Sequence, residues 1–235
     1  MARSDEKVST ETPPRQVTPF VPQPWNIITP RVYRYEDQQW VDAFFDNGLI
    51  RLSSFTQCRA YEDEHRGDAQ EAFGTSYIEM LDGTSVAAVF SQGSDAYLLC
   101  CTHNLDRSLQ QAFKRDSAFK IMDPMAFSLS IAAVLPDFAG GFEGSCIYRD
   151  HNIRRKGDFT MEQFRRSDGT VDMAFLQWTL AVGGGPERML LKRKRYAPQQ
   201  EYRMVWGTRG DAAPYIDIQC PDARQFCARV DDWEW

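Results

Sequence analysis

The sequence predicts an α+β fold: a single compact domain in which a mixed or antiparallel sheet is flanked by helices. Three observations lead there. Short runs in which apolar and polar residues alternate recur along the chain, as half-buried strands require. Stretches with apolar residues three and four apart interrupt them, but without the strict strand–helix alternation of a doubly wound sheet. Finally, 235 residues, 43% of them hydrophobic, suffice for one sizeable core and are short for two.

Residues 1–25 carry Pro13, Pro14, Pro19, Pro22 and Pro24 and few periodic apolar positions, so they are expected to form a tail with polyproline tendency. Residues 26–235 form the domain. RVYRY is a β-rich run. DQQWVDAFFDNG sets Trp40, Val41, Phe44 and Phe45 at helical spacing, with Trp40 and Phe44 on the buried face, and stops at Asn47-Gly48. LIRLSSF alternates as a strand does, which makes the opening unit strand–helix–strand. RAYEDEHRGDAQEAFG is a charged loop with helical pieces. TSYIEML and AVFSQGSDAYLLCCTH contain strands separated by turns at Asp82-Gly83 and Gly93-Ser94-Asp95. SLQQAFKRD is a short helix, FKIMD a strand, MAFSLSIAAVL a helix and GSCIYRD a strand. MAFLQWTLAV is a helix ended by Gly183-Gly184-Gly185-Pro186. RMLLKRKRY, EYRMVWG and YIDIQC read as strands, and DARQFCARV as a closing helix. Internal repeats and heptads are absent.

The N-terminus lacks the apolar stretch of a secretory signal, and no run of about 18 apolar residues exists to span a membrane. A cytoplasmic protein is therefore expected. The six cysteines fit that compartment as buried, reduced thiols: there is no CxxC, and the adjacent Cys100 and Cys101 point to opposite faces of a strand. The net charge is −6, yet the stretch from Arg149 to Arg209 carries 13 Lys+Arg against 7 Asp+Glu. Its KRKRY run attracts phosphates or forms a solvated face; general DNA binding is disfavoured by the acidic remainder.

Several familiar sites are excluded. Neither GxGxxG nor GxxxxGK[ST] occurs, and no HExxH or GxSxG accompanies His65, His103 or His151. The loop containing Asp63, Asp68 and Glu71 has oxygen ligands for a cation, but Arg59 and Arg66 compete for them. The most informative segment is Pro198-Gln199-Gln200-Glu201-Tyr202-Arg203. As a strand it places Gln199, Glu201 and Arg203 on one face and Tyr202, Met204 and Trp206 on the core face. An amide, a carboxylate and a guanidinium on one face are costly to hide without partners, although an ordinary exposed sheet face carries such residues as well.

VYRYEDQQWVDAFFDNGLIRLSSF, RAYEDEHRGD and KRKRYAPQQEYRMVW resemble, in that order and over Arg31 to Trp206, an uncharacterised bacterial domain-of-unknown-function family. The same layout is similar to that of ADP-ribosyltransferases of the Arg–Ser–Glu type. That resemblance implies a split sheet, NAD as substrate, no metal, and a bacterial toxin or phage-defence setting. It implies that Arg34 contacts the dinucleotide, that Ser53 or Ser54 supports the site, that Glu201 is the catalytic glutamate and that Gln199, two residues earlier, orients an acceptor. Tyr35 and Tyr61 are candidates to stack on nicotinamide, and Arg203 to help hold NAD. The serine motif is Ser-Ser-Phe where the family has Ser-Thr-Ser. Two other readings stay open: a non-catalytic nucleotide or phosphate sensor using Arg34, Arg193 and Arg203, and a nuclease using Asp63, Asp68 or Glu71 with a metal.

Overall fold

A computed structural model describes residues 30–61, Asp68, 72–149, 153–182 and 186–230. The expected tail at 1–25, most of the charged loop and the triple-glycine break lie outside these residues.

The chain enters strand β1 (Val32–Glu36), turns through helix α1 (Gln38–Asn47) and returns as β2 (Leu49–Ser54). Gly48 makes the return possible: its φ of +74° is left-handed, and a Cβ there would sit 2.4 Å from the backbone nitrogen of Pro221. Helix α2 (Phe55–Ala60) follows, capped by the Ser54 hydroxyl, which accepts from the Gln57 amide. A hairpin of β3 (Phe73–Glu79) and β4 (Ser85–Ser91) leads to β5 (Ala96–Thr102). Then come α3 (Arg107–Ala112), β6 (Ser117–Ile121), α4 (Pro124–Val134), β7 (Phe138–Ser145), β8 (Ile147–Tyr148) and β9 (Ile153–Lys156). After α5 (Met173–Val182), the chain forms β10 (Leu191–Lys192), β11 (Glu201–Thr208), β12 (Tyr215–Gln219) and β13 (Cys227–Arg229).

The principal sheet is antiparallel throughout, in the order β12-β2-β5-β1-β6-β13, with β11 between β5 and β7. Strand β5 is its hub. One edge pairs with β11 from Ala96 to Thr102. The other is divided: β2 meets it at Tyr97 and Leu98, and β1 only at Thr102. Over Leu99–Cys101 that edge has no ladder partner among the described strands. The Arg34 guanidinium reaches across instead and donates to the Cys100 carbonyl at 2.8 Å. Helices α1 and α4 cover one face, where Val41, Phe44, Phe127 and Ile131 pack on Leu52, Leu99, Phe119 and Met204. Phe55 and Cys58 cover Leu98 and Val205 on the other. Two satellites complete the fold: β3-β4 with β9 parallel to β3, and the short parallel pair β8-β10.

Four expectations need correction. RMLLKRKRY is not a strand but two 3-10 turns, Pro186–Leu190 and Lys194–Gln199, around the two-residue β10. Four consecutive cations give a strand no apolar face to bury. DARQFCARV is a 3-10 turn that passes into β13, whose Cys227 is buried against β6. Strand β7 begins at Phe138, well before GSCIYRD, and runs through Gly140-Gly141. A Cβ on Gly141 would stand 2.7 Å from the Val205 carbonyl, so the glycine permits the close pairing with β11. Trp40, placed on the buried face of α1, is 41% exposed. All six cysteines are free thiols, and Cys100 and Cys101 do face opposite sides.

Candidate active site

The divided edge of β5 opens into a cleft. Arg34 and Tyr35 from β1, Ser53 from β2, Tyr61 beyond α2, Gln199 at the end of the 3-10 turn before β11, and Glu201 at the start of β11 all line it. Of the eight residues singled out from the sequence, six therefore meet at one cavity of about 110 Å³. Ser53 lines the cleft and Ser54 does not, as the two-residue period of a strand demands. Ser54 is fully buried as the cap of α2. Arg203 lies behind the cleft wall, 0% exposed, with its guanidinium on the Met189 carbonyl at 2.6 Å. Tyr35 is buried too: its hydroxyl donates to the Asn104 carbonyl at 3.1 Å and accepts from the Asp106 amide at 2.7 Å. Its ring lies tilted against Phe113, with centroids 5.6 Å apart, while Tyr61 is half-buried.

Gln199 and Glu201 reach the cleft by a route other than a shared strand face. Gln199 ends the 3-10 turn, and Gln200 takes a left-handed conformation with φ +44°. That kink delivers Gln199 and Glu201 to one ammonium, that of Lys192. Lys192 donates to the Gln199 side-chain oxygen at 2.8 Å and to one oxygen of Glu201. The other Glu201 oxygen accepts from Arg203 Nε at 2.5 Å, and the Glu201 amide donates to the Tyr148 hydroxyl at 2.6 Å. Glu201 is only 4% exposed. Its neighbours therefore decide its charge state. Burial by itself would raise the carboxyl's pKa; Arg203 and then Lys192 outweigh it and hold the group far below the usual carboxylate range.

This network has a testable pH signature. Unfolded, a glutamate titrates near ~4.3. Because the folded value is depressed, the stability gained at Glu201 is complete above that pH and is lost progressively as the pH falls from there through the lower folded value. Melting temperatures taken from neutral pH to about pH 2 should therefore show the gap between the parent and Glu201→Gln closing below pH ~4. A gap of constant size would mean that the carboxylate contributes nothing through its charge.

The cleft is cationic. Among the described residues, Arg34, Arg51, Arg115 and Lys192 line it against the one carboxylate of Glu201. Glu36 holds Arg34 at 2.8 Å and Arg115 at 2.9 Å, while Arg51 grips Asp217 through two bonds of 2.6 and 2.7 Å. Burial works against the charge on Arg34, but Glu36 more than restores it. Lys192 and Arg115 were missed from sequence. The KRKRY run was a signal for Lys192, whereas nothing in SLQQAFKRD distinguishes Arg115.

The residues of the other two readings fare differently. Arg193 is not among the cleft's lining residues and lies 3.7 Å from buried Asp68. Asp63 and Glu71, like His65 and His151, lie outside the described residues. Among the described residues, no group of three or more His, Cys, Asp or Glu side chains is placed to hold a metal, and no helix is long and apolar enough to cross a membrane. His103 Nε2 is 2.7 Å from the Ser145 hydroxyl, away from the cleft. No family model matches this chain, and no curated protein or solved structure does either.

Proposed function

We propose that the protein is an ADP-ribosyltransferase-like enzyme that breaks the nicotinamide–ribose bond of NAD through Arg34, Ser53 and Glu201. The observation that carries this reading is the meeting of these three residues, from three strands, at the divided edge of β5. In the reaction the ribose C1′–N bond breaks and nicotinamide leaves with the electron pair. Water or a nucleophile of a macromolecular acceptor then adds to C1′ and loses a proton. Positive charge develops on the sugar in between, and the fixed carboxylate of Glu201 stabilises it. Arg34, with further cations beside it, suits the pyrophosphate. Gln199, held by Lys192, orients the acceptor, and Tyr61 offers the face on which nicotinamide stacks.

One observation favours a second reading, a nucleotide-binding module without turnover. Both Glu201 oxygens are already ion-paired, so its charge is neutralised before any substrate arrives. Incubation with NAD separates the two, because only the enzyme releases nicotinamide, measured by chromatography. Calorimetry reports binding in either case. Arg34→Ala removes a charge-assisted phosphate contact worth about 1.5–3 kcal/mol, so NAD should bind roughly 10–100-fold more weakly. Unchanged NAD affinity in that variant would exclude Arg34 from the site in both readings.

A further inference from the structure

A second chamber of about 280 Å³ adjoins the cleft and shares Arg34, Arg51, Ser53, Tyr61 and Arg115 with it. Its outer wall is aromatic: Trp40 from α1, Tyr215 from β12 and Tyr61. The two tyrosine hydroxyls lie 3.0 Å apart. The planar guanidinium of Arg51 sits over the Trp40 ring at 5.6 Å and over the Tyr215 ring at 5.4 Å. Trp40 and Tyr215 are among the large apolar side chains left exposed, at 41% and 37%. Such rings do not serve the core, and their grouping around a cavity is the feature to be explained.

We propose that this chamber binds the purine ring of a nucleotide, with the attached phosphate directed to Arg34 and Arg115 at its inner end. The inference rests on the nucleotide reading of the cleft and names the part of the ligand that lies outside the reacting centre. Aromatic faces and guanidinium planes are the surfaces on which nucleobases stack. The charges select the same ligand. Among the described residues, three guanidiniums, of Arg34, Arg51 and Arg115, face two carboxylates, of Glu36 and Asp217, and both carboxylates are bonded to guanidinium groups. The net positive wall favours a phosphate-bearing ring and rejects a cationic one. The bidentate Arg51–Asp217 pair is half exposed, so the Arg51 plane is held at the chamber wall while remaining open to a stacking base.

The test uses AMP and ribose 5-phosphate as probes on the full chain. AMP should bind roughly 10-fold or more tightly than ribose 5-phosphate, and should quench tryptophan emission. In Trp40→Phe the affinity for AMP should persist while the quenching disappears. Trp40→Ala and Tyr215→Ala should each weaken AMP roughly 10-fold and leave ribose 5-phosphate unchanged. Equal binding of the two probes, or full AMP affinity in both alanine variants, overturns the proposal. The outcome is independent of turnover. Nicotinamide release without ring-dependent AMP binding refutes the chamber alone, and AMP binding without release refutes the enzyme alone.

Discussion

Glu201→Gln should lower nicotinamide release by about 10²–10³ while leaving KM nearly unchanged. The substitution keeps the shape and the acceptor oxygen but deletes the charge that the oxocarbenium-like transition state needs. The change also touches stability, because Glu201 is buried between Lys192 and Arg203. Removing one partner of a buried ion pair costs about 3–5 kcal/mol, because the remaining charges stay desolvated. Against a typical total of about 5–15 kcal/mol, the variant stays folded but marginal. Turnover must therefore be normalised to the folded fraction seen by circular dichroism. Lys192→Met is the companion. It removes the ammonium that neutralises the carboxylate and leaves Arg203 in place. If Glu201 acts on the transition state, Lys192→Met, which also releases Gln199, lowers turnover per folded molecule far less than Glu201→Gln does. If Glu201 is a structural ion-pair partner, both variants release nicotinamide in proportion to their folded fraction, and the enzymatic reading fails.

The sequence carried the local periods and not the way strands share an edge. Alternation marked β2, β11 and β12, and a β-rich or apolar run marked β1 and β5, because each of them buries at least one face. It therefore also set the inward and outward sides, which is why Ser53 and Ser54 could not both face the cleft. Which of the two does so depends on α2 starting at Phe55 and recruiting Ser54 as its cap. The division of the β5 edge between β1 and β2 has no local signature at all. It is a long-range pairing, and the cleft exists because of it. Lys192 was hidden differently. A run of four cations resembles a solvated face, and only the short β8-β10 pairing turns its first member inward toward Glu201 while Arg193 turns toward Asp68.

Phe44→Ala should cost about 3–5 kcal/mol, and Trp40→Ala, on the same helix, less than about 1 kcal/mol. Helical spacing gives the two residues equal claims on the core, since positions i and i+4 share a face. The structure separates them. Phe44 is 1% exposed, stacked on Phe119 at 5.0 Å and tilted against Phe127 at 6.2 Å, so its ring joins α1 to β6 and α4 at once. Truncation there leaves a void lined by rings that cannot collapse without moving both elements. Trp40, one turn earlier, has rotated to the rim above Arg51, and its loss removes only surface contacts. Urea denaturation of both variants reads the difference directly: the midpoint should fall sharply for Phe44→Ala and barely for Trp40→Ala, with similar slopes. Equal losses would mean that α1 is turned about its axis, with Trp40 packed inward. The aromatic wall of the second chamber would then be absent, while the cleft at the β5 edge, which does not depend on Trp40, would remain.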